Sequence, residues 1–383
     1  MPTIRPYKVI DDEYESQSSY TIDLKLPTSG ILSSLMLMVK ARTATTGDCS
    51  GPWIKYLISK ISINQAGQQA LNAAPPEVFQ ADAYYKTGKM PRRGYEVMGG
   101  AASEVIEEVP ILFGDKLNDM YHTIDLSKLN DPKLSITYDL ASTGPFGETV
   151  WDTTYYPRFS VIAHLLQGAG VPGSLGYHSL RTIESYTPSN SEKKKIELKG
   201  KRPIKRIYCQ LDKKTIEYHW IHSIDEVKLW GDNEAYIPFI MKPDDWYELI
   251  KDIYGLCEVD AYVYYATSHK YVDMCVDHIV SSFISLPQNI LQKATPSGGS
   301  GRHTILEIYT MSTGAIYSTP TQAMYRFAGY CPWTTMAIDM EKMLGMEYLD
   351  PTQHAPLYLE LDHTSVGAAI GGPVKIHIED IIS

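Results

Sequence analysis

The chain has 383 residues, of which 44% are hydrophobic and 21% charged, and its formal net charge is −10. This length exceeds what one hydrophobic core usually serves, so we expect two domains of roughly 180 residues each. A chain this acidic repels nucleic acid on average, which argues against sequence-specific nucleic-acid binding. The 5 cysteines are scattered and include no CxxC pair, which is typical of reduced thiols in the cytoplasm.

Residues 1–17 are polar and carry both signs of charge, which predicts an N-terminal arm outside the domains. The arm has too little apolar surface to fold alone, so we expect it to become ordered only in an assembly. It shows no signal-peptide pattern, and the longest apolar stretch, residues 31–39, is too short for a membrane-spanning helix. We therefore expect no secretory route.

Residues 18–170 contain short apolar segments separated by Gly, Pro and Asp clusters, at a spacing of roughly ten residues. This spacing is typical of a β-sandwich or barrel. One segment, residues 75–85, is instead predicted to be a short helix, with Pro at its start and Gly88 after its end. The pattern predicts an all-β first domain with one helix.

The glycine-rich residues 171–177 are predicted to link this domain to a second one, residues 178–383. Apolar residues recur at helical spacing over residues 243–254, which predicts a second helix. Two long stretches, 286–302 and 309–356, are predicted to be surface loops. Long loops on a rigid β-scaffold usually carry contacts.

The two halves of the chain repeat one order of elements, with a short helix after the early strands of each half. Four pairs of segments match in pattern: 22–25 with 196–199, 61–63 with 227–229, 134–139 with 357–362, and 159–164 with 374–379. Two copies of one all-β module indicate a building unit rather than a protein with a single catalytic cleft.

Motifs that could carry chemistry are weak. His219-x-x-His222 and Cys275-x-x-His278 have spacings that a metal could use, but neither is followed by the matching second pair of a zinc site. The sequence also lacks the Gly-x-Ser-x-Gly motif of a nucleophilic serine. We therefore predict no catalytic, cofactor-binding or metal-binding residues.

The order of elements resembles that of the double jelly-roll major capsid proteins of icosahedral viruses, the lineage of tectiviruses, corticoviruses and adenoviruses. Residues 61–68 resemble the strand and turn before the first helix of that family. Residues 109–114 and 134–139 resemble the closing strands of its first roll, and residues 372–378 resemble the last strand of its second roll. The resemblance covers residues 18–383.

The resemblance implies a fold class, an all-β chain with two consecutive eight-stranded jelly-roll β-barrels that each carry a short helix. It implies a viral major capsid protein without enzymatic activity or cofactor, whose homotrimers form pseudo-hexameric capsomers that tile an icosahedral shell. The implied partners are other copies of the chain, penton or vertex proteins, minor capsid proteins and an internal membrane reached by the arm. The implied location is the virion capsid, assembled in the host cytoplasm.

Nine residues are candidates for assembly contacts. Tyrosine is abundant, with 28 Tyr against 7 Phe, and Tyr suits protein–protein contacts because its ring packs while its hydroxyl stays hydrated. The candidates come from the arm, from a lysine-rich stretch and from an aromatic loop: Arg5, Tyr7, Lys193, Lys194, Lys195, Tyr325, Phe327, Tyr330 and Trp333.

One alternative function stays open. Tyr and Trp side chains in loops could stack on sugars, so the chain could be a two-roll glycan-binding protein or a glycan-cleaving hydrolase. The scattered cysteines and the missing export pattern argue against this alternative, because such proteins are mostly secreted.

Overall fold

The structure is a computed structural model of the chain. It describes residues 3–44, 54–65, 71–91, 93–95, 97–98, 104–143, 149–168, 174–189, 192–211, 220, 223–265, 276–285, 292–297, 305–310, 321–354, 356–363 and 373–382.

The first half of the chain forms short strands and one α-helix within the described residues. They are β1 (Thr3–Glu13), β2 (Ser19–Lys25), β3 (Ile31–Arg42), β4 (Ile58–Asn64), β5 (Asn72–Ala74), α1 (Pro76–Thr87), β6 (Arg93–Tyr95), β7 (Val97–Met98), β8 (Glu104–Leu112), β9 (Ile124–Asp125), β10 (Lys133–Asp139) and β11 (Arg158–Gln167).

The second half forms the same kinds of element. They are β12 (Tyr177–Tyr186), β13 (Lys193–Glu197), β14 (Ile204–Leu211), β15 (Glu226–Gly231), β16 (Tyr236–Met241), α2 (Pro243–Tyr254), β17 (Cys257–Tyr265), β18 (Val276–Ser285), β19 (Gln292–Ser297), β20 (Ile305–Thr310), β21 (Thr321–Pro332), β22 (Thr335–Asp339), β23 (Leu357–Asp362) and β24 (Val374–Ile382).

Each half folds into a roll of two layers. In roll 1 the layers have the strand orders β1-β11-β3-β8 and β2-β10-β4-β5, and in roll 2 they have the orders β12-β24-β14-β22 and β13-β23-β15-β16. Alternate side chains, such as Ile22 and Leu24 of β2 and Leu35 and Leu37 of β3, are buried between the layers. The predicted fold class, two eight-stranded all-β rolls with one helix each, is confirmed for the described residues.

The internal repeat is confirmed by the strand orders. The four segment pairs matched in the sequence fall on β2 and β13, β4 and β15, β10 and β23, and β11 and β24, which hold the same positions in the two rolls. The repeat also makes β1 the counterpart of β12, since both lie beside these matched strands. Residues 3–13 are therefore the first strand of roll 1.

This position of β1 corrects the prediction that residues 1–17 form an arm outside the domains. β1 pairs antiparallel with β11 from Thr3 opposite Gln167 to Glu13 opposite Phe159. Most of its side chains are exposed, so its apolar content is low, as the sequence indicated. Order comes instead from backbone hydrogen bonds to the edge of a sheet, and these require no apolar side chain.

The two rolls share one continuous sheet. β5 of roll 1 and β12 of roll 2 pair in parallel at Ala73 and Arg181, which joins two layers into an eight-stranded sheet. β12 begins at Tyr177, the last residue of the predicted linker, whose residues 171–173 lie outside the described part of the chain.

The two helices begin and end alike but differ in burial. Each starts with a proline and ends at a glycine with positive φ, 71° at Gly88 and 80° at Gly255. In α2 the buried residues are Pro243, Trp246, Tyr247 and Ile250, and the other two residues of the apolar stripe, Leu249 and Ile253, are partly buried. In α1 residues 76–85 are all buried, because roll 2 covers the side of the helix that roll 1 leaves open.

A third region, the tower, is the sheet with strand order β18-β21-β17-β7. Three of its strands come from roll 2 and β7 comes from roll 1. The predicted loop over 309–356 is therefore wrong, because this stretch contains the tower strand β21 and the roll strand β22. The predicted loop over 286–302 contains β19, which pairs with β20.

Candidate assembly surface

The molecule has two distinct ends. Thr3 pairs with Gln167 and Tyr177 pairs with Ile382, so the first and last described strands reach the same end, which we call the base. Residue Gln210, at the other end of β14, pairs with β22 just after the chain returns from the tower. The tower therefore stands at the end opposite the base.

Helix α1 fills the boundary between the rolls, which we call the junction. Its hydroxyl and amide side chains bond to roll 2. The Tyr84 hydroxyl donates to the Gly255 carbonyl at 3.0 Å, and the Tyr85 hydroxyl donates to the Thr335 carbonyl at 2.7 Å. The Trp333 indole donates to the Gln80 side-chain oxygen at 2.8 Å. Because these groups are buried, each bond satisfies an atom that would otherwise lose its contact with water.

A buried ionic cluster lies on the base side of the junction. The Glu379 carboxylate accepts from Lys86 at 2.5 Å, from Arg206 at 2.7 Å and contacts His178 Nδ1 at 2.8 Å. Arg206 also bonds Asp339 at 2.6 Å and Asp115 at 2.9 Å. The cluster thus joins α1 of roll 1 to four strands of roll 2, which are β12, β14, β22 and β24, and to the loop after β8.

The cluster keeps the Glu379 carboxylate charged. Burial opposes ionisation of Glu379, but the attraction of Lys86 and Arg206 outweighs burial and holds its pKa well below the usual range. The pKa of Arg206 lies well above its usual value, because its carboxylate neighbours outweigh the cost of burial. A carboxylate that is both ionised and fully paired is suited to holding two elements together and poorly suited to exchanging protons.

The predicted contact residues of the arm are accessible. Tyr7 is 61% exposed, and Arg5 is exposed on the same strand. β1 is the last strand of its layer, so its outer backbone edge has no neighbouring strand among the described residues. An exposed tyrosine on a free strand edge is a feature of protein contact surfaces.

The predicted lysines lie on β13, at the edge of the outer layer of roll 2. Lys193 pairs with Asp362 at 2.7 Å, and Lys195 approaches Glu360 at 3.5 Å on the neighbouring strand. Lys194 approaches Glu184 of β12 at 3.5 Å. These ion pairs neutralise the stretch within its own subunit, and lysines on an edge strand also discourage unwanted strand pairing.

The predicted aromatic residues do not form one surface. Phe327 and Trp333 are 0% and 1% exposed, because both lie in the hydrophobic core and the Trp333 indole bonds Gln80 at the junction. Neither is available to a neighbouring subunit. Tyr330 is half-buried and donates to Glu248 at 2.5 Å, and the side chain of Tyr325 lies outside the described residues.

Two exposed apolar residues of β16 were missed by the sequence analysis. Ile237 and Ile240 are 43% and 50% exposed on the last strand of their layer. An apolar strand residue normally predicts core, so its position on a free edge can be seen only in the folded chain. In the structural repeat Ile240 is the counterpart of Ala73, which lies at the junction.

The described residues bear on metal binding and on membrane crossing. No group of three or more His, Cys, Asp or Glu side chains there could hold a metal ion. His219, His222 and Cys275 of the two sequence motifs, and the side chain of His278, lie outside the described part. No described helix combines the length and the apolar character needed to cross a bilayer.

Comparisons with known proteins identify the fold. No family model matches the chain, and no curated protein matches it by sequence. The STIV MCP matches with a TM-score of 0.59 at 11% identity, over 99% of this chain and 96% of that chain. An atomic structure of Sulfolobus turreted icosahedral virus matches with a TM-score of 0.57 at 10% identity, over 99% and 90%.

A third structure gives the same result. PBCV-1 VP54, fitted into a reconstruction of the virophage Sputnik, matches with a TM-score of 0.57 at 10% identity, over 100% of this chain and 95% of that chain. The chain therefore has the double jelly-roll fold, which it shares with these viral capsid proteins over nearly its whole length.

Proposed function

We propose that the chain is the major capsid protein of an icosahedral virus and that it acts by assembly rather than by catalysis. The observation that carries this proposal is the match of both rolls together, over 99% of this chain and 96% of the STIV MCP. A fold can serve several functions, but two like rolls locked side by side are a unit suited to tiling. The glycan-binding or glycan-cleaving alternative is not favoured, because the solved structures that match along the whole chain are capsid proteins.

The assembling unit is a homotrimer. Three subunits supply six similar rolls, which gives a pseudo-hexameric capsomer able to tile a flat facet. The exposed apolar residues on the free edges of β1 and β16 support association through the sides of the rolls. Stable contacts of this kind bury upwards of about 1,000 Å² in total.

The remaining partners follow from the two ends of the molecule. The base, where β1 begins at Thr3, is the end that would face an internal membrane or minor capsid proteins. The sides of the capsomer would contact other capsomers and the penton or vertex proteins. Assembly in the host cytoplasm is supported by the scattered cysteines, which include no CxxC pair.

The domain division into rolls 18–170 and 178–383 is part of the same proposal, with residues 3–13 now assigned to roll 1. The test is light scattering of the purified full chain, followed by electron microscopy. We expect a particle of three times the 43.0 kDa subunit mass, with a hexagonal outline in projection. A stable monomer at all concentrations would contradict the proposal.

A further inference from the structure

We propose that β16 of one copy pairs in parallel with β1 of the next copy and places Ile240 beside Tyr7. The contact between copies would then repeat the contact between the two rolls of one chain. This inference rests on the proposed function and names the surface through which the copies associate.

The junction within the chain is the template. There β5 and β12 pair in parallel, with Ala73 beside Arg181. Helix α1 begins at Pro76, directly after β5, and lies against the outer side of the layer that contains β24 and β14. On roll 1, the structure that contacts roll 2 is therefore the last strand of a layer, β5, followed directly by helix α1.

Roll 2 carries the same structure at its outer edge. Ala73 lies opposite Ser62 of β4, and Ile240 lies opposite Lys228 of β15. Ser62 and Lys228 are matched residues of the repeat, so Ile240 is the counterpart of Ala73. The helices agree independently, since α1 begins three residues after Ala73 and α2 begins three residues after Ile240.

Roll 1 carries the counterpart of Arg181. Arg181 lies opposite Ile378 of β24, and Tyr7 lies opposite Ala163 of β11. Ile378 and Ala163 are matched residues of the repeat, so Tyr7 is the counterpart of Arg181. The pairing of Ala73 with Arg181 within the chain therefore corresponds to a pairing of Ile240 with Tyr7 between chains.

Both of these residues are apolar, large and uncovered in the single subunit. Tyr7 is 61% exposed and Ile240 is 50% exposed. β1 and β16 each end a layer among the described residues, so each presents unpaired backbone groups beside its exposed side chain. Open strand edges with apolar side chains favour pairing with another chain.

The proposed contact of α2 with the next copy differs from the contact of α1 in the junction by changes on both contacting surfaces. In the junction the Tyr208 hydroxyl donates to Asp82 of α1 at 2.6 Å. The counterpart of Asp82 on α2 is Leu249. The counterpart of Tyr208 on β3 is Met36, because Met36 lies opposite Ile162 and Tyr208 lies opposite His377, the residue that matches Ile162 in the repeat. A polar pair within the chain is thus replaced by an apolar pair between chains.

The buried ion pair changes in the same matched way. Lys86 and Glu379 of the junction have Ile253 and His164 as their counterparts. The cation and the anion are both absent from the outer contact. Loss of one partner alone would leave a buried charge unpaired, whereas loss of both avoids that cost. The surface of roll 2 beside β16 and α2 is therefore suited to the surface of roll 1 beside β1 and β3. Neither surface is suited to pair with a surface of the junction.

A contact between two different surfaces of one chain is head-to-tail, and such contacts close into rings when the rotation between copies permits. Tyr7 and Ile240 lie in different rolls, so each subunit would offer one to each of its two neighbours. A trimer would then contain three such contacts, and every β1 edge and every β16 edge in it would be paired.

The test is cross-linking of the full chain that carries Tyr7→Cys together with Ile240→Cys. Neighbouring strands are about 5 Å apart, within the range that a disulfide bridges. We expect mild oxidation to produce covalent dimers and trimers on a non-reducing gel, and each single variant to remain monomeric on that gel. The matched control is Tyr348→Cys with Ile240→Cys, since Tyr348 is 43% exposed but lies outside the proposed contact.

The outcomes separate the two proposals. Cross-linked trimers from the first pair only would support the inference. A trimer by light scattering that never cross-links through Tyr7→Cys and Ile240→Cys would overturn the inference and leave the proposed function standing. A monomer for the unmodified chain would overturn both. As a second arm, Tyr7→Glu and Ile240→Lys should each dissociate the trimer at least tenfold more readily, and their combination should restore it.

Discussion

Lys86 and Glu379 form a 2.5 Å ion pair although they belong to different rolls. Their side chains are only 1% and 0% exposed. Arg206 completes the arrangement by binding the second oxygen of Glu379 at 2.7 Å. The rolls of this chain are therefore fixed to each other by buried charges as well as by a shared sheet, and they should unfold together.

Replacing Arg206 tests this cluster. Arg206→Leu would leave Glu379 and Asp339 buried beside too few cations, so we expect the free energy of unfolding to fall by about 3–5 kcal/mol. Urea denaturation followed by tryptophan fluorescence measures the loss. Arg202→Leu is the matched control, because Arg202 is 45% exposed and lies as far as 3.9 Å from Asp380. This substitution should lower the free energy of unfolding by less than about 1 kcal/mol. Equal effects of the two substitutions would contradict the role of the cluster.

The loop that contains Asp119 and His122 should make stability depend on pH. The hydrogen bond to Asp119 raises the pKa of His122 above 6.5. Burial opposes ionisation of Asp119, but bonds from the His122 side chain and from the backbone N–H groups of Tyr121 and His122 outweigh it and lower its pKa below 3.8. Stabilisation by protonated His122 is complete below pH 6.5 and is lost as the pH rises through its higher folded pKa.

The contribution of Asp119 has the opposite sign, being present above pH 3.8 and lost as the pH falls through its lower folded pKa. We therefore expect the thermal midpoint to decline as the pH is raised above 6.5, and to decline less in His122→Gln. His354→Gln serves as a control at another histidine, since His354 contacts Asp232 at 2.8 Å far along the chain. A parallel decline in the wild type and in His122→Gln would exclude this loop as the cause.

The buried cysteines should be protected from alkylation. Cys209, Cys257 and Cys331 are 0% exposed, and burial raises the pKa of the Cys209 thiol, which lowers the fraction of reactive thiolate. Iodoacetamide should label peptides of these three residues only after denaturation, as measured by mass spectrometry. Labelling of the native protein at the denatured rate would show that the core opens on the time scale of the reaction.

Removal of β1 should abolish trimers rather than only shell assembly. Deletion of residues 1–14 takes away Tyr7 and exposes the edge of β11. We expect light scattering to report monomers, with near-native circular dichroism because the rest of roll 1 retains its core. The matched control replaces only Lys8 by Ser, which keeps the strand together with Arg5 and Tyr7. Trimers that persist after the deletion would return residues 1–17 to the role of a peripheral arm.

Much of the fold was predictable because it depends on local pattern. The alternation in β2 and β10 and the stripe of α2 follow from which side of a strand or helix meets the core. The repeat between residues 159–164 and 374–379 identifies equivalent strands, β11 and β24, from the sequence alone. β1 escaped because a strand at an edge is held by its backbone and shows little of this alternation.

The composition and periodicity of the sequence determined by themselves that this chain forms two similar all-β rolls with one short helix each, because burial against a core imposes a regular spacing on apolar residues. Only the tertiary structure decided which polar residues are interior and which apolar residues are exposed. Lys86 is buried and Ile240 is half exposed, because partners such as Glu379 come from distant parts of the chain. The local sequence pattern does not predict such contacts, because they depend on how the two rolls pack against each other.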